Sequence, residues 1–152
     1  MLRLFAAFAS VGILLAAEVA QGDDAKKDLE KLHGTWEIIE LIADGHTVPA
    51  DKLKGSQVVF KGDEMTLTQG DAVNDARKFR VKLDPRQKPK AIDMTALNSK
   101  YKGSVGAAIY QLEGDTLKLC SPDDPRSKER PTEFKSPKGA QLILLTLKRA
   151  KP

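Results

Sequence analysis

The sequence predicts an all-β domain of about eight short antiparallel strands, preceded by one short helix. Three observations lead there. From Gly34 onward the dominant hydrophobic period is two rather than the helical 3.6. Turn pairs such as Asp44-Gly45, Gly62-Asp63 and Gly114-Asp115 punctuate the periodic runs. No later stretch is long enough for a helical crossover, which excludes α/β folds and their nucleotide sites. Strands with hairpin-length links make either an antiparallel sandwich or an up-and-down barrel.

The elements follow in order. Residues 1–22, MLRLFAAFASVGILLAAEVAQG, read as an export signal. Arg3 supplies the positive start, residues 4–17 are uncharged and largely apolar, and Ala20 and Gly22 place small residues before a cut at Asp23. Ala17 offers a competing cut. The apolar run is shorter than the ~20 residues of a spanning helix, so no membrane span is expected once the signal is removed. The expected address is outside the cytoplasm, periplasmic or extracellular. Residues 23–33, DDAKKDLEKLH, form a short amphipathic helix that Asp23 and Asp24 can cap, with Leu29 and Leu32 on one face.

TWEIIELIA (35–43) reads as the first strand, and residues 49–55 as one helical turn with Pro early and Gly last. SQVVFK (56–61), EMTLTQ (64–69), KFRVKL (78–83), KAIDMTA (90–96), VGAAIYQL (105–112) and TLKLCS (116–121) follow as strands. The long loop 122–139 then leads to QLILLTLKR (141–149).

Residues 23–152 are expected to be one domain, within the usual span of about 100–200 residues. With 41% hydrophobic and 30% charged residues, the composition excludes disorder, collagen and a multi-span membrane protein. The net charge of +4 survives removal of the signal, which takes away Arg3 and Glu18. That is mildly basic, short of a nucleic-acid binder. Cys120 is the only cysteine, so no internal disulfide forms and stability must come from packing.

Trp36 decides between barrel and sandwich. It stands in Gly34-Thr35-Trp36 after the lead helix, and the last strand ends in Lys148-Arg149. This resembles the lipocalin pattern, in which a Gly-x-Trp opens the first strand and a late basic residue packs across the indole. In a closed barrel the first and last strands are neighbours, and an arginine over indole contributes roughly 0.5–2 kcal/mol. Arg149 also shares the parity of Ile143, Leu145 and Leu147. The expected fold is therefore a lipocalin-like up-and-down antiparallel β-barrel. A wider likeness covers almost all of residues 23–152. LHGTWEIIELIADGHTVPADKLKGSQVVFKGD, KLDPRQKPKAIDMT, AIYQLEGDTLKLC and RPTEFKSP occur in that order. Together they resemble a family of exported lipocalin-like domains, abundant in planctomycete bacteria and of unassigned function. The resemblance implies fold and export, and carries no catalytic or ligand-contacting residues.

The chemistry points away from catalysis. His33 and His46 fall beside a strand and in a turn, where neither is placed for a relay. No His-x-x-x-His or Cys-x-x-Cys supplies transition-metal ligands, and Asp123-Asp124 lacks the spaced ligand set of a calcium loop. No cofactor, metal or nucleic acid is expected. If Trp36 points inward, alternation also turns Ile38, Glu40 and Ile42 inward. There the Glu40 carboxylate needs a partner or a ligand, unless it sits at the open rim or a bulge turns it outward. The equivalent lining on other strands is Val58 and Phe60, Met65 and Leu67, Phe79 and Val81, Ile92 and Met94. Leu117, Leu119, Ile143, Leu145 and Tyr110 complete it, Tyr110 with its hydroxyl available. Glu40, Phe60, Met65, Phe79, Met94 and Tyr110 are the expected ligand contacts. Eight strands are just wide enough to be filled by side chains or to hold one small ligand. The expected function is a non-catalytic exported module binding a small apolar or amphipathic ligand in the barrel. The alternative is a filled barrel that engages a protein or a polysaccharide, or another anionic surface or polymer, through its basic outer face. Lys78, Arg80, Lys82 and Lys88 are the core of that face, with Arg77, Arg86 and Lys90 beside them.

Overall fold

A computed structural model describes residues 12–70 and 73–152. It consists of α1 (Gly12–Leu32), β1 (Gly34–Ala43), the two-residue β2 (His46–Thr47), α2 (Ala50–Leu53), β3 (Gln57–Lys61) and β4 (Glu64–Thr68). There follow β5 (Arg77–Asp84), β6 (Ala91–Ala96), β7 (Val105–Glu113), β8 (Thr116–Pro122) and β9 (Leu142–Arg149). From β3 to β9 each strand pairs antiparallel with the next, β1 pairs with β3, and β9 returns to β1. The result is a closed eight-stranded, lipocalin-like up-and-down barrel with β2 appended to β1. Closure pairs each of the eight barrel strands on both sides, and among the described residues only the two-residue β2 is left with one neighbour.

Trp36 and Arg149 meet at the seam. They face each other in the β1–β9 register, and the guanidinium carbon lies 4.2 Å from the centre of the indole ring. Trp36 is fully buried, and its indole N–H donates to the Leu32 carbonyl at 2.8 Å. Arg149 donates to the carbonyls of Lys31 (2.7 Å) and His33 (3.1 Å). Three of the carbonyls that a helix C-terminus leaves without partners are thus satisfied by the strands it sits on. Gly34, between helix and strand, has φ +118°, a conformation that glycine adopts without penalty.

The alternation expected along β1 breaks at Ile39. The register with β9 runs from Ile38–Leu147 to Glu40–Thr146, so Ile39 is an extra residue, a β-bulge, and is 51% exposed. Beyond it the parity reverses. Leu41 packs against the barrel core, whereas Ile42 joins a separate cluster with Ile109, Cys120 and Leu144 on the outside of the barrel. Phe134, from the long segment between β8 and β9, packs against that outer cluster. Arg130 fastens the same segment to the wall, 2.6 Å from Asp93 and donating to the Ala108 carbonyl at 2.7 Å.

α1 covers one end of the barrel. Leu32 is fully buried, and Ala25 and Leu29 pack against the core beside it. The side-chain contacts described for this helix all come from residues after Gly22.

Candidate functional site

The interior has two halves. Near α1 it is solid: Trp36, Phe60, Ile92, Ala108, Tyr110 and Leu117 are each no more than 1% exposed. At the other end the wall opens into a cavity of about 1070 Å³. That is just above the span of about 300–1,000 Å³ usual for a small-molecule site. Val58 and Met65 line its deeper part, with Leu67, Phe79, Met94, Leu119 and Leu145 around them. Leu41, Ala43 and Val48 add the β1–β2 side, the first two brought inward by the bulge.

The mouth is polar. Lys52, Arg77, Lys78, Lys100 and Arg126 stand around it with Asp123 and Asp124. The segment after β8 crosses at Gly106, where an added Cβ would lie 3.1 Å from the Pro125 carbonyl oxygen. Glycine at that position lets the backbone approach the barrel closely. Asp124 and Arg126 pair with each other at 2.8 and 2.9 Å, which holds the Asp124 carboxyl down at about 2. Arg126 and Lys100 also lie over the Tyr101 ring, 5.7 and 5.0 Å from its centre.

The six expected ligand contacts are divided by this geometry. Met65, Phe79 and Met94 line the cavity together. Phe60 lies in the core cluster and does not line it. Glu40 requires a correction. The bulge at Ile39 puts it on the parity of Ile42, opposite Thr146 and outside the barrel, which explains a carboxylate in an apolar run. Ile42 is corrected for the same reason.

Tyr110 points inward at the sealed end, and its hydroxyl is engaged. It donates to Asp28 Oδ2 at 2.7 Å, and Lys90 Nζ donates to the same oxygen at 2.8 Å. Asp28 is 5% exposed, and Lys31 adds a longer pairing at 3.9 Å. Burial on its own raises the Asp28 carboxyl pKa. The hydrogen bonds from Lys90 and Tyr110 and their charge environment outweigh it, and the group titrates below its ordinary value. Burial and the adjacent carboxylate push the Tyr110 hydroxyl up, so it remains a donor.

The basic residues from Arg77 to Lys90 do not form one unopposed patch. Arg80 faces Glu64 across the strands and lies 3.4 Å from Asp63. Lys82 is opposite Asp93, Lys88 is in the β5–β6 turn, and Lys90 belongs to the Asp28 cluster. Lys78 is exposed at the cavity mouth.

Cys120 is fully buried under residues 134–136, with its thiol 3.5 Å from the Lys135 carbonyl, and burial pushes the thiol pKa up. A buried protonated thiol is a packing residue rather than a nucleophile. His33 and His46 are exposed, and His46 Nδ1 lies 3.1 Å from the Asp44 carbonyl. Among the described residues no three acidic, histidine or cysteine side chains converge as a metal site. None of the described helices is long and apolar enough to cross a membrane.

Sequence reasoning missed two features of the site. Arg77 shares the inward parity of Phe79 and Val81, a signal that alternation carries. The pairing of Asp28 with Lys90 and Tyr110 joins positions 62 and 82 residues apart, and no local pattern announces it. No family model, curated protein or solved structure matches the chain.

Proposed function

We propose that this chain is a non-catalytic binding module that holds one small apolar or amphipathic ligand in the open half of the barrel. The observation that carries this reading is the 1070 Å³ cavity with Met65, Phe79, Met94 and Leu145 in its wall. A closed barrel whose strands supply side chains enough to fill one half, yet leave the other hollow, retains apolar surface that a ligand can cover. Each methylene buried there contributes about 0.8 kcal/mol, so a chain of about ten carbons gains roughly 8 kcal/mol to set against the costs of binding. The protein is also proposed to act outside the cytoplasm, as an exported lipocalin-like domain. Support for export is the pattern of residues 1–22, of which 1–11 lie outside the described residues. The contacts described between α1 and the barrel come from Ala25, Asp28, Leu29, Lys31 and Leu32, so a cut after Gly22 leaves them in place.

Nile red, a neutral apolar dye, tests the reading. Its emission is expected to rise on mixing with the protein, and to weaken with Met94→Trp, which narrows the cavity beside Met65 and Phe79 while circular dichroism stays that of the parent. Emission equal to that in buffer, or unchanged by Met94→Trp in a folded variant, would overturn it.

A further inference from the structure

Resting on the ligand-binding reading, we propose that the ligand is a single-chain amphiphile with a carboxylate head, and that Arg77 at the cavity mouth receives the head. Three observations converge. The first is parity: Arg77 begins β5 on the face of Phe79 and Val81, opposite Leu67 of β4, so the strand that supplies apolar wall also supplies a cation at the top of it. The second is the absence of a competing anion. Among the described residues the Arg77 guanidinium has neither an ion-pair nor a hydrogen-bond partner, whereas Arg80, Arg126, Arg130 and Arg149 all have carboxylates. The third is positioning. Asn98 grips the backbone on both sides of Arg77, accepting from the Lys78 N–H at 2.9 Å and donating to the Ala76 carbonyl at 2.8 Å. The Leu97 N–H adds a bond to the Lys78 carbonyl at 2.8 Å. The root of the Arg77 side chain is thereby fixed at the rim.

The surrounding charge favours the same head group. Of the charged residues lining the cavity, Asp124 is neutralised by Arg126, which leaves Lys52, Arg77, Lys78 and Lys100 against Asp123. A planar guanidinium fork matches the two oxygens of a carboxylate. The apolar wall begins at Leu67 and Phe79, immediately below, where an alkyl chain attached to that carboxylate would run.

Displacement of Nile red by decanoate, decanol and decyltrimethylammonium, the two ions below their micelle concentrations and the alcohol below its solubility limit, tests the proposal. Decanoate is expected to bind about fivefold more tightly than decanol, the worth of an ion pair open to solvent, and the cation more weakly than either. The advantage of decanoate should shrink as salt is raised, while the affinity for decanol holds. Arg77→Gln, at an exposed site, should retain the parent melting temperature and should lose the preference for decanoate over decanol. Equal binding of decanoate and decanol would overturn the head-group assignment and leave the cavity reading standing. A preference for decanoate that survives Arg77→Gln would overturn the role of Arg77. Failure of all three probes to displace or bind would sink the cavity reading itself.

Discussion

At the end of the barrel under α1, Trp36, Tyr110 and Leu117 are buried to within 1% of their surface. At the far end Phe79, Met94 and Leu145 are only partly buried and face a cavity. The same strands build both ends: Leu83 and Phe79 lie on β5, Ile92 and Met94 on β6, Leu117 and Leu119 on β8. What differs is the plug. One end receives a helix whose Leu32 enters the core, whose terminal carbonyls are taken by Trp36 and Arg149, and whose Asp28 is gripped by Lys90 and Tyr110. The other end receives loops and a ring of charged side chains, which solvate the mouth without filling it. Stability is thus concentrated at one end of the barrel, and the proposed binding is placed at the other.

This division predicts unequal costs of mutation. The largest loss is expected at the sealed end, where Trp36→Ala should cost about 3–5 kcal/mol and Leu117→Ala about 2–5 kcal/mol in urea unfolding. At the open end Leu145→Ala should cost about 1 kcal/mol, because its side chain already borders a void and little new cavity is made. Equal losses for Leu117→Ala and Leu145→Ala would break the comparison.

Asp28→Asn should come next, at about 2 kcal/mol, since it leaves Lys90 without its charged partner while keeping the shape. Its pH dependence has a definite sign. The folded carboxyl titrates below its ordinary value, so its stabilisation is complete above that ordinary value, near 3.8. It is lost as pH falls through the lowered folded pKa. Acid unfolding of the parent should therefore be steeper than that of Asp28→Asn, and parallel acid limbs would argue against the latch.

Arg149→Ala should have a smaller effect, about 1–2 kcal/mol, from loss of the indole contact and of the bonds to Lys31 and His33. Trp36 emission should change with it, and an unaltered spectrum and melting temperature would remove Arg149 from the closure.

The barrel was legible because alternation and turn chemistry agree along most of the chain. KFRVKL alternates cleanly, and Asp44-Gly45 forms the β1–β2 turn with both φ values positive, +48° and +79°. β1 was not legible beyond Ile38. Its run Ile38-Ile39-Glu40-Leu41-Ile42 is apolar on both parities, and one face meets the core while the other meets the outer cluster under Phe134. With no glycine or proline to mark the bulge, continued alternation placed Glu40 and Ile42 inside. The basic run from Arg77 to Lys90 reads as one patch in sequence, yet a strand distributes it to the mouth, the outer wall and the sealed end. Whether the barrel is filled depends on where α1 docks, and that depends on Asp28 meeting partners far along the chain.

Selective labelling of methionine methyl groups offers the most direct measurement. Met65 and Met94 are the two methionines within the barrel and both line the cavity, while the single Trp36 reports on the sealed end. On titration with decanoate, both methyl resonances should shift and the Trp36 indole N–H should stay in place. Movement of Trp36 without the methionines, or of neither, would contradict a barrel sealed at one end and receptive at the other.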